Sequence, residues 1–112
     1  MALRVTALTD FADNGNSKTF TYGTHTAAEP KLVIQKRKVP TGNATTQETS
    51  VAVIAATKNA AGDVLPSKVV FEVIHRSPID GLAADVTAAL GIIRDIIAGD
   101  EYTNAVSTQE WI

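Results

Sequence analysis

The sequence predicts an α+β fold: an antiparallel β-sheet meander with an N-terminal hairpin, followed by two C-terminal helices packed on one face of the sheet. Three observations predict it. Up to residue 76 the chain is a series of short runs rich in β-formers, with turn clusters between them. From Leu82 the apolar residues fall instead at helical spacing, at 82, 86, 89, 90, 93 and 97. The charge divides at much the same places. Residues 31–76 carry Lys31, Lys36, Arg37, Lys38, Lys58, Lys68 and Arg76 against Glu48, Asp63 and Glu72, a net of +4. Residues 77–112 carry Arg94 against Asp80, Asp85, Asp95, Asp100, Glu101 and Glu110, a net of −5.

Residues 3–9 alternate and suggest a first strand. Asp13-Asn14-Gly15-Asn16 is a turn, its Asn-Gly pair a strong hairpin signal. Ser17–Tyr22 returns antiparallel, and a looser stretch leads into a strand over Lys31–Val39. Pro40-Thr-Gly-Asn43 is a turn cluster. A long β-rich run extends from about Gln47 to Lys58, Asn59-Ala-Ala-Gly-Asp63 breaks it, and Lys68–Arg76 is the last strand. Ser77-Pro78-Ile79-Asp80 offers two helix starts: Ser77 as N-cap with Pro78 at the first helical position, or Asp80 as N-cap. Ile92 and Ile96 widen the apolar stripe beyond what one covering surface needs, so this helix is expected to meet more than one neighbour. Gly99 ends it, and Asp100 caps a shorter helix from Glu101 to about Glu110.

A chain of 112 residues with 45% apolar and 20% charged side chains is one folding domain rather than a disordered segment. With no cysteine, disulfides and thiolate sites are excluded; His25 and His75 are isolated, so no metal or cofactor is expected. Nothing resembles a signal peptide or a membrane span, and the chain reads as soluble and made in a cytoplasm. The sequon Asn43-Ala44-Thr45 then carries no glycosylation meaning.

The chemistry of catalysis is missing. No serine, histidine and acid fall in a nucleophile context, and no glycine-rich phosphate loop precedes a helix. Asp80 and Asp85 read as a cap and a helix-dipole partner, His75 as a packed or hydrogen-bonded histidine, and Tyr102 and Trp111 as packing residues. Within Lys68–Arg76, Val69, Phe71, Val73 and His75 form the more apolar face, expected under the helices, and Lys68, Glu72 and Arg76 the uncovered one. Lys31, Gln35 and Arg37 share a face with Val33. Neither face of the run 47–58 is strongly polar, so its register stays open.

The layout resembles the coat proteins of single-stranded RNA bacteriophages, the leviviruses. The likeness is sharpest from Val69 to Ile112. There a strand ending Val73-Ile-His-Arg76 passes through a polar turn into Asp80-Gly-Leu-Ala-Ala-Asp-Val-Thr-Ala-Ala-Leu-Gly, followed by Tyr102 and the close Gln109-Glu-Trp-Ile112. The resemblance implies an interlocked homodimer whose sheets join edge to edge, with Leu82, Val86, Leu90, Ile93 and Ile97 at the interface. Dimers would close an icosahedral shell in a bacterial cytoplasm, helices outward and basic sheet toward the genomic RNA. It implies RNA contacts, including an operator hairpin, from Lys31, Gln35, Arg37, Lys58 and Lys68 on the uncovered face, where no aromatic is evident for stacking. It also implies a symmetry-axis loop at Asn59, Gly62, Asp63 and Pro66, able to take more than one conformation, and loss of the first methionine. The rival reading is a small dimeric cellular nucleic-acid-binding module; a small-molecule enzyme or carrier is a third.

Overall fold

The computed structural model describes residues 6–43 and 45–112. The chain divides into two compact units, Met1–Pro78 and Ile79–Ile112. In the first, β1 (Thr9–Asp13), β2 (Ser17–Thr21), β3 (Lys31–Lys38), β4 (Thr46–Ala55) and β5 (Val69–Pro78) form one five-stranded sheet in the order β1-β2-β3-β4-β5. All four pairings are antiparallel, as expected for a meander.

The first strand is displaced from its expected place. Residues 3–5 of that expectation lie outside the described residues, and β1 abuts the turn instead. Asp10-Phe11-Ala12-Asp13 does not alternate because the ladder shifts by one residue between Asp10 and Ala12, a bulge that breaks the two-residue period. The hairpin turn is tight. Asn14 N–H donates to the Ser17 carbonyl (2.8 Å), and Asn16 N–H donates to that of Asn14 (3.1 Å). Gly15 has φ 81°, the value of a γ-turn centre that side chains other than glycine adopt only under strain.

β5 runs two residues past its expected end. Ser77 and Pro78 pair with Gln47 and Thr46 of β4, so neither opens a helix. The Ser77 hydroxyl accepts a hydrogen bond from Gln47 Nε2 (3.3 Å) rather than capping. Pro78 is tolerated because β5 is an edge strand, where a missing N–H costs no ladder bond.

Between β4 and β5 the chain makes a small hairpin of its own. Lys58 bridges Val64, and Leu65 N–H donates to the Thr57 carbonyl (2.9 Å). Asn59 clasps the tip: its Oδ1 accepts from Ala61 N–H and Asp63 N–H (3.0 Å each), and its own N–H donates to the Asp63 carbonyl (3.0 Å). Gly62, at φ 89°, makes the reversal possible.

In the second unit α1 spans Ala83–Ala98 and α2 spans Asp100–Thr108. α1 starts after Leu82 with no side-chain cap, so neither Ser77 nor Asp80 takes the N-cap role the sequence suggested. Asp85 in its first turn supplies negative charge to the dipole instead. Gly99 is both the C-cap of α1 and the N-cap of α2, in extended backbone (φ −78°, ψ 153°), which places Asp100 inside α2 rather than ahead of it.

Among the described residues no hydrophobic side chain is buried, and the only buried residue is Ser77. The better-covered part of the sheet is where β2, the start of β3 and the end of β4 meet. Along β5 the exposure stays high, from Val69 and Val70 to Val73 and Ile74. None of the residues of α1 or α2 is buried.

Candidate nucleic-acid interface

Residues directly opposite in an antiparallel ladder project to the same face, so the register assigns each side chain a side. Lys31 lies opposite Ala55, which lies opposite Val69; Val33, Val53 and Phe71 form the next row. Gln35, Val51 and Val73 follow, then Arg37, Thr49 and His75. Lys18, opposite Gln35, and Phe20, opposite Val33, join this face from β2. The other face carries Leu32, Ile34, Lys36 and Lys38 from β3, Glu48 and Ser50 from β4, and Val70, Glu72, Ile74 and Arg76 from β5.

This corrects the face assignment. Lys31, Gln35 and Arg37 share the face of Val69, Phe71, Val73 and His75, from which the sequence reading separated them. Lys58 and Lys68 do not join them: Lys58 belongs to the small hairpin, and Lys68 precedes β5. The reason lies in β4, whose two faces both mix polar residues in the first half with apolar ones in the second, so the sequence does not carry sidedness from β3 to β5. The shared face also holds an aromatic, Phe20, which the sequence reading missed. Only the β2–β3 register reveals it.

The cations differ in how far they are already engaged. Lys58 Nζ pairs with Glu29 at 2.8 Å and Arg76 with Glu48 at 3.3 Å. Lys18 lies 3.5 Å from Asp10 and 5.2 Å from the centroid of the Phe20 ring. Lys31 Nζ donates to Thr24 Oγ1 (3.0 Å), while its backbone N–H donates to His25 Nδ1 (3.0 Å). Among the described residues, Lys36, Arg37, Lys38 and Lys68 make no ion pair within 4.0 Å. The first three are consecutive on the exposed end of β3, so their cationic groups fall on both sides of one end of the sheet. Unpaired, exposed cations in a row are the arrangement that meets a phosphate chain, because binding releases counterions without first breaking an internal pair.

Beside this end lies a shallow cleft of about 260 Å³, lined by Asp13, Gly15, Asn16, Lys18, Gln35 and Arg37. Its two cations are offset by Asp13 and the nearby Asp10, so it is polar rather than strongly positive. His75 is hydrogen-bonded across the strand pair to Thr49 (3.2 Å), and its Nε2 is buried without a partner. Among the described residues no cluster of three metal-ligating side chains occurs, and no helix is long and apolar enough to cross a membrane.

Solved structures share this architecture over nearly the whole chain. A chain of the virus-like particle of Wenzhou levi-like virus 4 matches with a TM-score of 0.78 at 14% identity, covering 96% of this chain and 79% of that one. The fold is that of levi-like virus particles. A chain of the Beihai levi-like virus 21 particle gives 0.78 at 8% identity, covering 96% of this chain and 87% of that one. The particle of bacteriophage ESE020 gives 0.63 at 18% identity, covering 91% and 84%. No family model and no curated protein matches the sequence. At such identities the levi-like fold survives through its pattern of strands, turns and helix rather than through shared residues.

Proposed function

We propose that the chain is the coat protein of a single-stranded RNA virus, which dimerises, closes into an icosahedral shell and packages RNA. The observation that carries this reading is the match to particle chains across 96% of the sequence. The exposure pattern supports it. Leu82, Leu90, Ile93 and Ile97 are 70%, 50%, 39% and 41% exposed, and β5 leaves an apolar edge strand open, so a folded chain by itself leaves a large apolar surface in water.

A second copy covers that surface: the helical stripe of Leu82, Val86, Leu90, Ile93 and Ile97, together with Val51, Val53, Phe71 and Val73 of the sheet. The basic end of the sheet, Lys36-Arg37-Lys38, then takes RNA phosphates, Lys36 and Lys38 from the face the second copy leaves open and Arg37 from beyond the last row it covers. Lys31 and Gln35 lie on the covered face and are left out of the contact. Lys68 adds charge near the start of β5. Contacts of this kind give salt-sensitive affinity with little base choice. The Asn59-clasped hairpin, with Gly62, Asp63 and Pro66, surrounds the symmetry axes. No catalytic role is assigned.

The test is size-exclusion chromatography with light scattering on protein made in bacteria, recording the ratio of nucleic-acid to protein absorbance across each peak. A megadalton peak holding nuclease-protected RNA supports the shell. Discrete dimers free of shells, under gentle salt, would transfer the assignment to a small nucleic-acid-binding module.

A further inference from the structure

The tip of the first hairpin holds an arrangement that the shell reading does not use. Asn14-Gly15 is an Asn-Gly pair on an exposed turn. In such a pair the following backbone nitrogen attacks the asparagine side chain with unusual ease, because glycine has no Cβ to hinder the approach. Here that peptide is pinned at both ends. Gly15 N–H donates to Asp13 Oδ1 (2.9 Å), and the Asn14 carbonyl accepts from Asn16 N–H (3.1 Å). The turn is tied down further on, where Arg37 N–H donates to the Asn16 carbonyl (2.8 Å).

We propose that Asn14 is a deamidation site of this chain and that Asp13 is the positioning residue that restrains it. In the reaction Gly15 N loses its proton and bonds to Cγ of Asn14. The Cγ–Nδ2 bond breaks, and Nδ2 departs with that proton as ammonia, leaving a cyclic imide. Water then opens the imide at either carbonyl to give aspartate or isoaspartate; nothing is oxidised or reduced. The native turn opposes the first step twice. The Asp13 carboxylate holds the proton that must leave, in a charge-assisted bond, and the peptide plane must swing out of both contacts before its nitrogen reaches Cγ. Deamidation adds a negative charge beside the cleft of Lys18 and Arg37. The isoaspartate product also inserts a methylene into the main chain of the γ-turn, which draws the Asn16 carbonyl away from Arg37 N–H.

The experiment ages intact protein at mildly alkaline pH and follows Asn14 by peptide mass spectrometry and by enzymatic methylation of isoaspartate. The same chain unfolded in urea gives the unrestrained rate. Folded wild-type protein should react far more slowly than the unfolded chain. Asp13→Ala should react roughly tenfold faster than wild type, the ratio given by losing one hydrogen bond at ~1.36 kcal/mol per decade. Asp13→Asn keeps an acceptor oxygen and should return the rate toward wild type. Lys18→Ala loosens the hairpin through the Lys18–Asp10 pair while leaving the pin, and should stay slow. The proposal is overturned if Asp13→Ala ages at the wild-type rate, if Asp13→Asn fails to rescue, if Lys18→Ala matches Asp13→Ala, or if folding gives no protection.

Discussion

Phe71 offers a quantitative handle on whether a second copy completes the fold. It lies in β5 opposite Val53 and leaves 42% of its surface exposed in the single chain. A phenylalanine presents ~200 Å², so covering that fraction removes ~85 Å² from water and contributes ~2 kcal/mol at ~25 cal/mol per Å². In a symmetric pair the effect counts twice, so Phe71→Ala should weaken the dimer by ~4 kcal/mol, roughly a thousandfold in dissociation constant. The control is Phe11→Ala. Phe11 is 61% exposed on the opposite edge strand, with its ring centroid 5.4 Å from that of His25, and it has no place in the proposed interface. The assay is urea unfolding at several protein concentrations, followed by the far-ultraviolet circular dichroism of the sheet and helices, since the single tryptophan, Trp111, is 98% exposed and reports little of the fold. For a chain that folds as it dimerises, the midpoint rises with concentration. Midpoints independent of concentration, or equal losses from Phe71→Ala and Phe11→Ala, would refute the reasoning.

Three further outcomes are expected. Reversing charge at Arg37 and Lys68 should lower the RNA content of purified particles; unchanged nucleic-acid absorbance would remove these residues from the interface. Asn59→Ala deletes the acceptor shared by Ala61 and Asp63, so those two amides should exchange with solvent about tenfold faster while the sheet amides keep their protection. Deleting Asn59–Pro66 should block closed shells and spare dimers; electron microscopy showing normal shells would end the loop's assigned role.

Where local chemistry decides structure, the sequence was readable. The Asn-Gly turn, the meander order, the break at Asn59–Asp63 and the helical spacing from Leu82 all stand in the structure. What it hid depends on pairing between distant residues. The bulge at Phe11 masks β1, because a strand that skips one residue no longer alternates. Ser77 and Pro78 have the chemistry of a helix start, yet β4 claims them as its partners. The candidate site suffered most. β4 has Val51 and Val53 on one side and Ala52 and Ile54 on the other, so which face Arg37 shares with β5 is settled only by the ladder. Salt bridges were equally invisible: the sequence shows Lys58 as a cation, and the fold places it on Glu29.

Gly99 has a consequence for where acid can sit on this molecule. Because one residue closes α1 and opens α2, the two macrodipoles meet head to tail, the negative end of the first against the positive end of the second. Taken alone, α1 would favour a lysine or arginine in its last turn, and it has none. Asp100 and Glu101 stand at the start of α2 instead, drawn by its free N–H groups and opposed by the carbonyls of α1. The junction is therefore close to electrically neutral before any side chain is added. It tolerates either sign of charge at little cost, so this corner can change its net charge by substitution while the backbone stays as it is.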